Sequence, residues 1–107
     1  PDRSVVCIVG DGELMMTCQE LATAAREHLG ITVLVIDNAE FGTIRTHQER
    51  RFPGRRSGTA LTNPDFVRLA ESLGAIAVRT STAEETIAAL ARSVAMDRLA
   101  LVHYTGP

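Results

Sequence analysis

Apolar and polar positions divide the chain into an alternating series of strands and helices. Short apolar runs rich in β-branched residues predict strands over 4–9, 31–36, 75–79 and 99–103. The stretches between them predict helices over about 15–29, 42–51, 64–73 and 83–95, with a loop at 52–62. Strands that alternate with helices in this way indicate an α/β fold, with a parallel sheet covered by helices on both faces.

Single residues refine the expected helix ends. Asn63 before Pro64 predicts the start of the third helix, because Asn caps well and Pro suits the first turn. Thr82 and the residue three positions later, Glu85, predict a capping box for the fourth helix. Gly30 and Gly74 are expected to end helices in the left-handed conformation.

Composition restricts the class of protein. The 107 residues are expected to form one domain, and the net charge of −2 gives no field for binding nucleic acid or a membrane surface. All 11 basic residues are Arg, so a P-loop nucleotide site and a phosphoacceptor receiver, which both need Lys, are excluded. Cys7 and Cys18 are expected to be buried reduced thiols, which predicts a cytoplasmic protein.

Polar residues follow the first two predicted strands at the points where those strands end. Asp11 lies between Gly10 and Gly12, and Asn38 comes after a further 25 residues. The carboxyl ends of parallel strands meet at one edge of the sheet, where open α/β sheets bind their ligands. Carboxylate and amide oxygens there suit Mg²⁺, which keeps other positions for water and phosphate.

These strings resemble the signature of thiamine diphosphate (ThDP) enzymes, Gly-Asp-Gly followed by Asn after a spacer of this size. The segments 10–24, 41–45, 61–66 and 69–75 are similar to the acetolactate synthase and 2-oxo acid decarboxylase branch. The resemblance covers roughly residues 4 to 104. One departure is visible, since the family usually has Asn-Asn where this chain has Asp37 and Asn38.

The resemblance implies a three-layer α-β-α fold with a mostly parallel sheet. It further implies that residues 1–107 are the C-terminal part of the diphosphate-binding domain of a longer chain, incomplete at its N-terminus. The cofactors it implies are ThDP and Mg²⁺.

It also assigns roles to particular residues. The metal ligands would be Asp11, Asn38 and the main-chain carbonyl of Glu40. The diphosphate would lie against the main chain, with N–H groups of Gly12, Glu13 and Phe41 facing it; the cofactor-binding set is Gly10, Gly12, Glu13 and Phe41. The resemblance implies no catalytic acid or base in this chain, because the glutamate that activates the cofactor lies on another domain of the family's enzymes.

The expected function is therefore the cofactor-binding part of an enzyme acting on 2-oxo acids, by decarboxylation or by carboligation of the acetolactate synthase kind. Expected partners are the 2-oxo acid, the remaining domains of the polypeptide and identical subunits in a homodimer or homotetramer. The isolated chain should be inactive. A non-catalytic regulatory or structural domain of the same fold is the alternative; a dinucleotide-binding module is weaker, because Met15 stands where its third glycine belongs.

Overall fold

Four parallel strands form the middle layer of the computed structural model, which describes residues 3–106. In this part of the chain the sheet has the order β1-β2-β4-β3. The strands are β1 (Val5–Gly10), β2 (Ile31–Ile36), β3 (Ile76–Thr80) and β4 (Ala100–Tyr104). The register pairs Gly10 with Ile36, Ile36 with Tyr104, and Tyr104 with Thr80, so all four described strands end at the same level. The predicted parallel sheet is confirmed.

Helices cover both faces of this sheet. The described helices are α1 (Asp11–Thr17), α2 (Glu20–Arg26), α3 (Gly42–Arg51), α4 (Phe66–Ser72) and α5 (Ala83–Ala95), of which α3 buries no side chain. Leu14, Leu21 and Phe66 bring α1, α2 and α4 into one apolar core. On the other face, Ala89 of α5 packs with Leu34 and Val102. This confirms the three-layer α/β arrangement; the longest helix has 13 residues, and no helix within 3–106 is long and apolar enough to cross a membrane.

The strand β1 departs from the expectation of burial on both faces. Its side chains at Val6 and Ile8 are 45% and 68% exposed, and Cys7 is exposed too, so the prediction that this thiol is buried is wrong. The reason is position: β1 pairs only with β2 among the described strands, and α5 packs against β2, β3 and β4. Cys18 is half-buried, and both thiols are free.

The helix predicted over 15–29 starts earlier and is divided in two. Strand β1 passes directly into α1 at Asp11, with Gly10 in an extended conformation. The helix is broken at Cys18 and Gln19. Their carbonyls accept from the N–H groups of Leu21 and Ala22, three residues later, at 3.1 and 3.0 Å. Such bonds between residues three apart interrupt the regular α-helical pattern and separate α1 from α2.

The third predicted helix start is wrong in its cap. The helix α4 begins at Phe66, and its N-cap is Asp65. The Asp65 Oδ1 accepts hydrogen bonds from the N–H groups of Val67 and Arg68 at 3.1 and 3.2 Å. Asn63 is thereby released from capping. The start of α5 is as predicted for Thr82, which accepts from the Glu85 N–H at 3.2 Å, although the Glu85 carboxylate bonds Ser81 N–H rather than Thr82 N–H.

The two glycines expected at helix ends behave differently. Gly74 follows α4 with φ +95°, as predicted. After α2 the left-handed residue is instead His28, with φ +52°. Gly30 serves a close approach, because a Cβ there would lie 2.2 Å from a carboxylate oxygen of Asp97.

Candidate functional site

The carboxyl ends of β1 and β2 bring the predicted site residues together. The register places Gly10 beside Ile36, so the segments that follow the two strands are neighbours. An open cavity of about 430 Å³ lies between them. Six of the seven predicted residues line it: Gly10, Asp11, Gly12, Glu13, Asn38 and Phe41. Glu40 lies just outside, in the same loop as the last two.

Asp11 is the most deeply buried of these polar residues, at 2% exposure. Its Oδ1 accepts a hydrogen bond from the Gly12 N–H at 2.9 Å, and its Oδ2 accepts one from Asn63 Nδ2 at 2.6 Å. An ionised carboxylate has about four acceptor positions. Asp11 is therefore held at both oxygens and keeps acceptor capacity for a cation.

The loop after β2 is shaped by hydrogen bonds between near neighbours. Asn38 Oδ1 accepts from the Glu40 N–H at 3.1 Å, and the Glu40 carbonyl accepts from the Gly42 N–H at 3.0 Å. Ala39 between them is left-handed, with φ +55°. Each of the two oxygens has a second lone pair. The Glu40 carboxylate is directed elsewhere, since both its oxygens accept from Arg45 Nη1 at 2.7 and 2.9 Å.

The expected ligands match the chemistry of a hard divalent cation. Among residues 3–106, no three His, Cys, Asp or Glu side chains form a metal-binding group. The expected set is of another kind, with one carboxylate (Asp11), one carboxamide (Asn38) and one carbonyl (Glu40). Three oxygen donors of this type suit Mg²⁺, which retains positions for water and phosphate oxygens.

The two glycines that flank Asp11 are needed for different reasons. A Cβ on Gly12 would lie 2.3 Å from Phe41 Cε1, so the ring packs directly over this residue. A Cβ on Gly10 would meet only the Glu13 carboxylate, at 3.6 Å, and its φ of −76° suits any residue. The chain's own packing therefore requires Gly12 but leaves open space over Gly10, beside the cavity, where a ligand can approach the main chain.

Two of the amides expected to face the diphosphate have hydrogen-bond partners within the chain. Gly12 N–H bonds Asp11, and Phe41 N–H donates to the Thr59 carbonyl at 2.8 Å. Neither N–H is free for a diphosphate in this structure, because each is used to hold the loop or the helix start. The Glu13 side chain accepts from the Gly10 N–H at 2.9 Å, which supports the first turn of α1.

Sequence reasoning missed three residues behind the expected ligands: Asp37, Asn63 and His103. Asp37 Oδ1 accepts from Asn63 Nδ2 at 2.8 Å and from the Ala39 N–H at 3.0 Å, and its Oδ2 pairs with His103 Nε2 at 2.8 Å. Burial raises the pKa of Asp37, but the hydrogen bonds, with that of His103 largest, outweigh burial and hold the pKa below its ordinary value.

His103 is a buried residue, at 3% exposure. Because an ionised carboxylate only accepts, its contact with Asp37 places the imidazole proton on Nε2. Nδ1 is then an acceptor facing Arg79 Nε at 3.5 Å. The Phe66 ring meets the imidazole edge-on at 5.1 Å. The available signal was position, since His103 lies near the carboxyl end of β4, at the same sheet edge as Asp11.

The fold and this site are those of an α/β domain with its ligand site at the carboxyl edge of a parallel sheet. The family described as "Thiamine pyrophosphate enzyme, C-terminal TPP binding domain" matches residues 1–104. The chain belongs to this family, whose cofactor is thiamine diphosphate. The resemblance inferred from the sequence is confirmed.

Known relatives refine the comparison. The acetolactate synthase large subunit of Corynebacterium glutamicum is 43% identical over 98 residues, which are 87% of this chain and 16% of that protein. The acetolactate synthase isozyme 2 large subunit of Escherichia coli is 38% identical over 104 residues, 96% of this chain and 19% of that protein. Among solved structures, the thiamine diphosphate-dependent 4-hydroxybenzoylformate decarboxylase of Rhodococcus jostii has a TM-score of 0.91 at 28% identity, covering 96% of this chain and 20% of that one. The chain thus spans about a fifth or less of these relatives.

Proposed function

We propose that this chain is the diphosphate- and Mg²⁺-binding part of a ThDP-dependent enzyme that acts on 2-oxo acids. The observation that carries the proposal is the convergence of six predicted site residues on one cavity at the carboxyl edge of β1 and β2. The names of the relatives, acetolactate synthases and a decarboxylase of an aryl 2-oxo acid, support this class of substrate.

The chain's own residues would anchor the cofactor rather than perform the chemistry. Asp11, Asn38 and the Glu40 carbonyl would hold Mg²⁺, and the cation would neutralise the diphosphate. Open space over Gly10, beside the start of α1, would admit a phosphate oxygen. Bound ThDP supplies the carbon nucleophile and electron sink for decarboxylation or carboligation, while the protein fixes its position.

A set of partners follows from this proposal. The remaining domains of the enzyme and a second subunit would complete the cofactor cleft and supply the activating glutamate. Exposed apolar side chains offer surface for such contacts, among them Ile8 on β1 and Met16 on α1, each about two-thirds exposed. A homodimer or homotetramer in the cytoplasm remains the expected form. The isolated chain should show no decarboxylation of a 2-oxo acid in the presence of ThDP and Mg²⁺.

Substitution of Asp11 tests the metal assignment. In the intact protein, Asp11→Ala should abolish the Mg²⁺-dependent part of ThDP binding, measured by calorimetry with and without the cation. Glu71→Gln, which removes an exposed carboxylate on α4, serves as the matched control and should bind normally. Unchanged ThDP affinity in Asp11→Ala would refute the assignment.

The same measurement separates the alternatives. A non-catalytic domain of this fold would bind ThDP neither before nor after the substitution. A dinucleotide-binding module would need a free acidic residue at the end of β2 for the ribose. Asp37 holds that position, but its two oxygens are occupied by Asn63, His103 and the Ala39 N–H.

A further inference from the structure

One side-chain amide bridges two carboxylates at the floor of the site. Asn63 Nδ2 donates to Asp11 Oδ2 at 2.6 Å and to Asp37 Oδ1 at 2.8 Å. Both hydrogens of this nitrogen are therefore used. The two acceptors follow different strands, and Asn63 reaches them from the loop before α4, so a single residue joins three segments that are distant in sequence.

The hydrogen bonds from Asn63 offset the repulsion between the carboxylates of Asp11 and Asp37. Two carboxylates that share one nitrogen partner lie close enough to repel each other strongly. An amide supplies two N–H dipoles without adding a charge, so it holds both groups while leaving the net negative charge available to a cation. A Lys or Arg at this place would compete with the cation for the carboxylate.

Asn63 completes the fixation of Asp11. The Gly12 N–H holds Oδ1 at 2.9 Å, and Asn63 holds Oδ2. With both oxygens fixed at 2% exposure, the carboxylate cannot rotate away from the cavity without losing a hydrogen bond. Ligand carboxylates and imidazoles in metal sites are commonly oriented by such neighbouring groups.

The other end of the bridge is anchored in the core. Asp37 is held by His103, a residue of β4 that lies against the Phe66 ring and is only 3% exposed. The amide of Asn63 is therefore positioned by a rigid group on its far side. It has no competing duty at the helix start, since Asp65 caps α4.

We propose that Asn63 is a positioning residue for the Mg²⁺ site, holding the ligand Asp11 through a bridge anchored by Asp37 and His103. The inference rests on the proposed function, because it takes Asp11 as a ligand. Asn63 is not a ligand and does not contact the cation, yet its loss should weaken metal binding.

Metal affinity tests this role in the intact protein at saturating ThDP. Mn²⁺ is the probe, with free Mn²⁺ followed by electron paramagnetic resonance. Asn63→Ala should weaken Mn²⁺ binding about 10- to 100-fold, the range found when such orienting partners are removed. Asn63→Ser, with one donor, should lie between this variant and the unmodified protein. Asp65→Asn is the matched control: it retains a good cap in the same loop and should bind Mn²⁺ normally.

The outcomes distinguish this inference from the proposed function. If Asp11→Ala leaves Mn²⁺ binding unchanged, the metal assignment itself fails. If Asp11→Ala abolishes binding but Asn63→Ala stays within about twofold of the unmodified protein, only the positioning role is overturned. If Asn63→Ala does not fold, Asn63→Ser decides: weakened binding with normal thermal unfolding of the metal-free protein supports the role, and unmodified affinity overturns it.

Discussion

The glycines on either side of Asp11 should differ in stability after the same substitution, because only Gly12 is covered by a side chain. Gly12→Ala places a methyl group 2.3 Å from Phe41 Cε1 and 2.9 and 3.0 Å from Cδ1 and Cζ of the same ring, so the ring must move. Forcing an extra methyl group into a packed contact typically costs about 1–3 kcal/mol. Replacing glycine by alanine inside a helix returns about 1 kcal/mol. We therefore expect a net loss of up to about 2 kcal/mol in the local stability of α1.

Gly10→Ala is the matched comparison. Its methyl group meets only the Glu13 carboxylate at 3.6 Å, in an extended conformation that alanine adopts freely. The small loss expected at a cap position and the gain from a less flexible unfolded chain are of similar size, each below about 1 kcal/mol. Stability should hardly change, whereas ThDP binding should weaken because the methyl group occupies the open space beside the cavity.

Native-state hydrogen exchange of the α1 amides in the intact protein measures the local free energy directly. Calorimetry of ThDP binding supplies the second readout. A decisive control is the background Phe41→Ala, in which no ring overlies Gly12. There Gly12→Ala should stabilise α1 by about 1 kcal/mol, a change of sign that the double-mutant cycle detects. If Gly12→Ala stabilises α1 equally with the ring present, the packing argument is wrong.

Other predictions concern acid stability, capping and local order. The pKa of Asp37 in the folded protein lies below its ordinary value, so the ionised carboxylate stabilises the fold above about pH 4, and this stabilisation is lost as the pH falls through the folded pKa. Asp37→Asn should therefore reduce the fall in melting temperature between about pH 5 and pH 3. An unchanged fall would contradict this. Thr82→Ala should destabilise α5 by about 1 kcal/mol, read from exchange of its first amides, while Thr82→Ser should not. In the metal- and ThDP-free protein, amides of α3, which buries no side chain, should exchange far faster than those of β2; equal protection would show that α3 is ordered by its own packing.

Sequence pattern predicted the elements well because their signals are local. The apolar runs of β2 and β4 reflect burial on both sheet faces, and the bounds of β2, α3 and α5 are those expected. The errors lie where tertiary contacts decide. The apolar run of β1 predicts burial on both faces. However, β1 lies beside only one described strand, so its side chains, including Cys7, are exposed. The pair Asn63-Pro64 satisfies every local criterion for a helix start, yet Asn63 is used by two distant carboxylates.

The expected ligands could be predicted from local sequence signals, whereas the residues that support them could not. Asp11 and Asn38 could be predicted because each directly follows a strand, and strand ends in a parallel sheet converge. The contacts of Asn63 span 52 and 26 residues, and that between His103 and Asp37 spans 66, with no periodicity or spacing to indicate them. A histidine near the end of one strand and an aspartate after another are weak signals singly. Only the strand order, with β4 placed between β2 and β3, makes them neighbours.

The departure from the family's usual Asn-Asn pair now has a physical account. Asp37 adds a carboxylate beside the expected cation, but Asn63, His103 and the Ala39 N–H all donate to it. These donors stabilise its charge next to Asp11, with which it shares Asn63 Nδ2. A carboxylate suits these donors better than a carboxamide, because both of its oxygens accept hydrogen bonds. An Asn here has one oxygen, so its NH₂ group would face either the His103 Nε2–H or the donors of Asn63 and Ala39. The departure therefore strengthens the support of the site without adding a ligand to it.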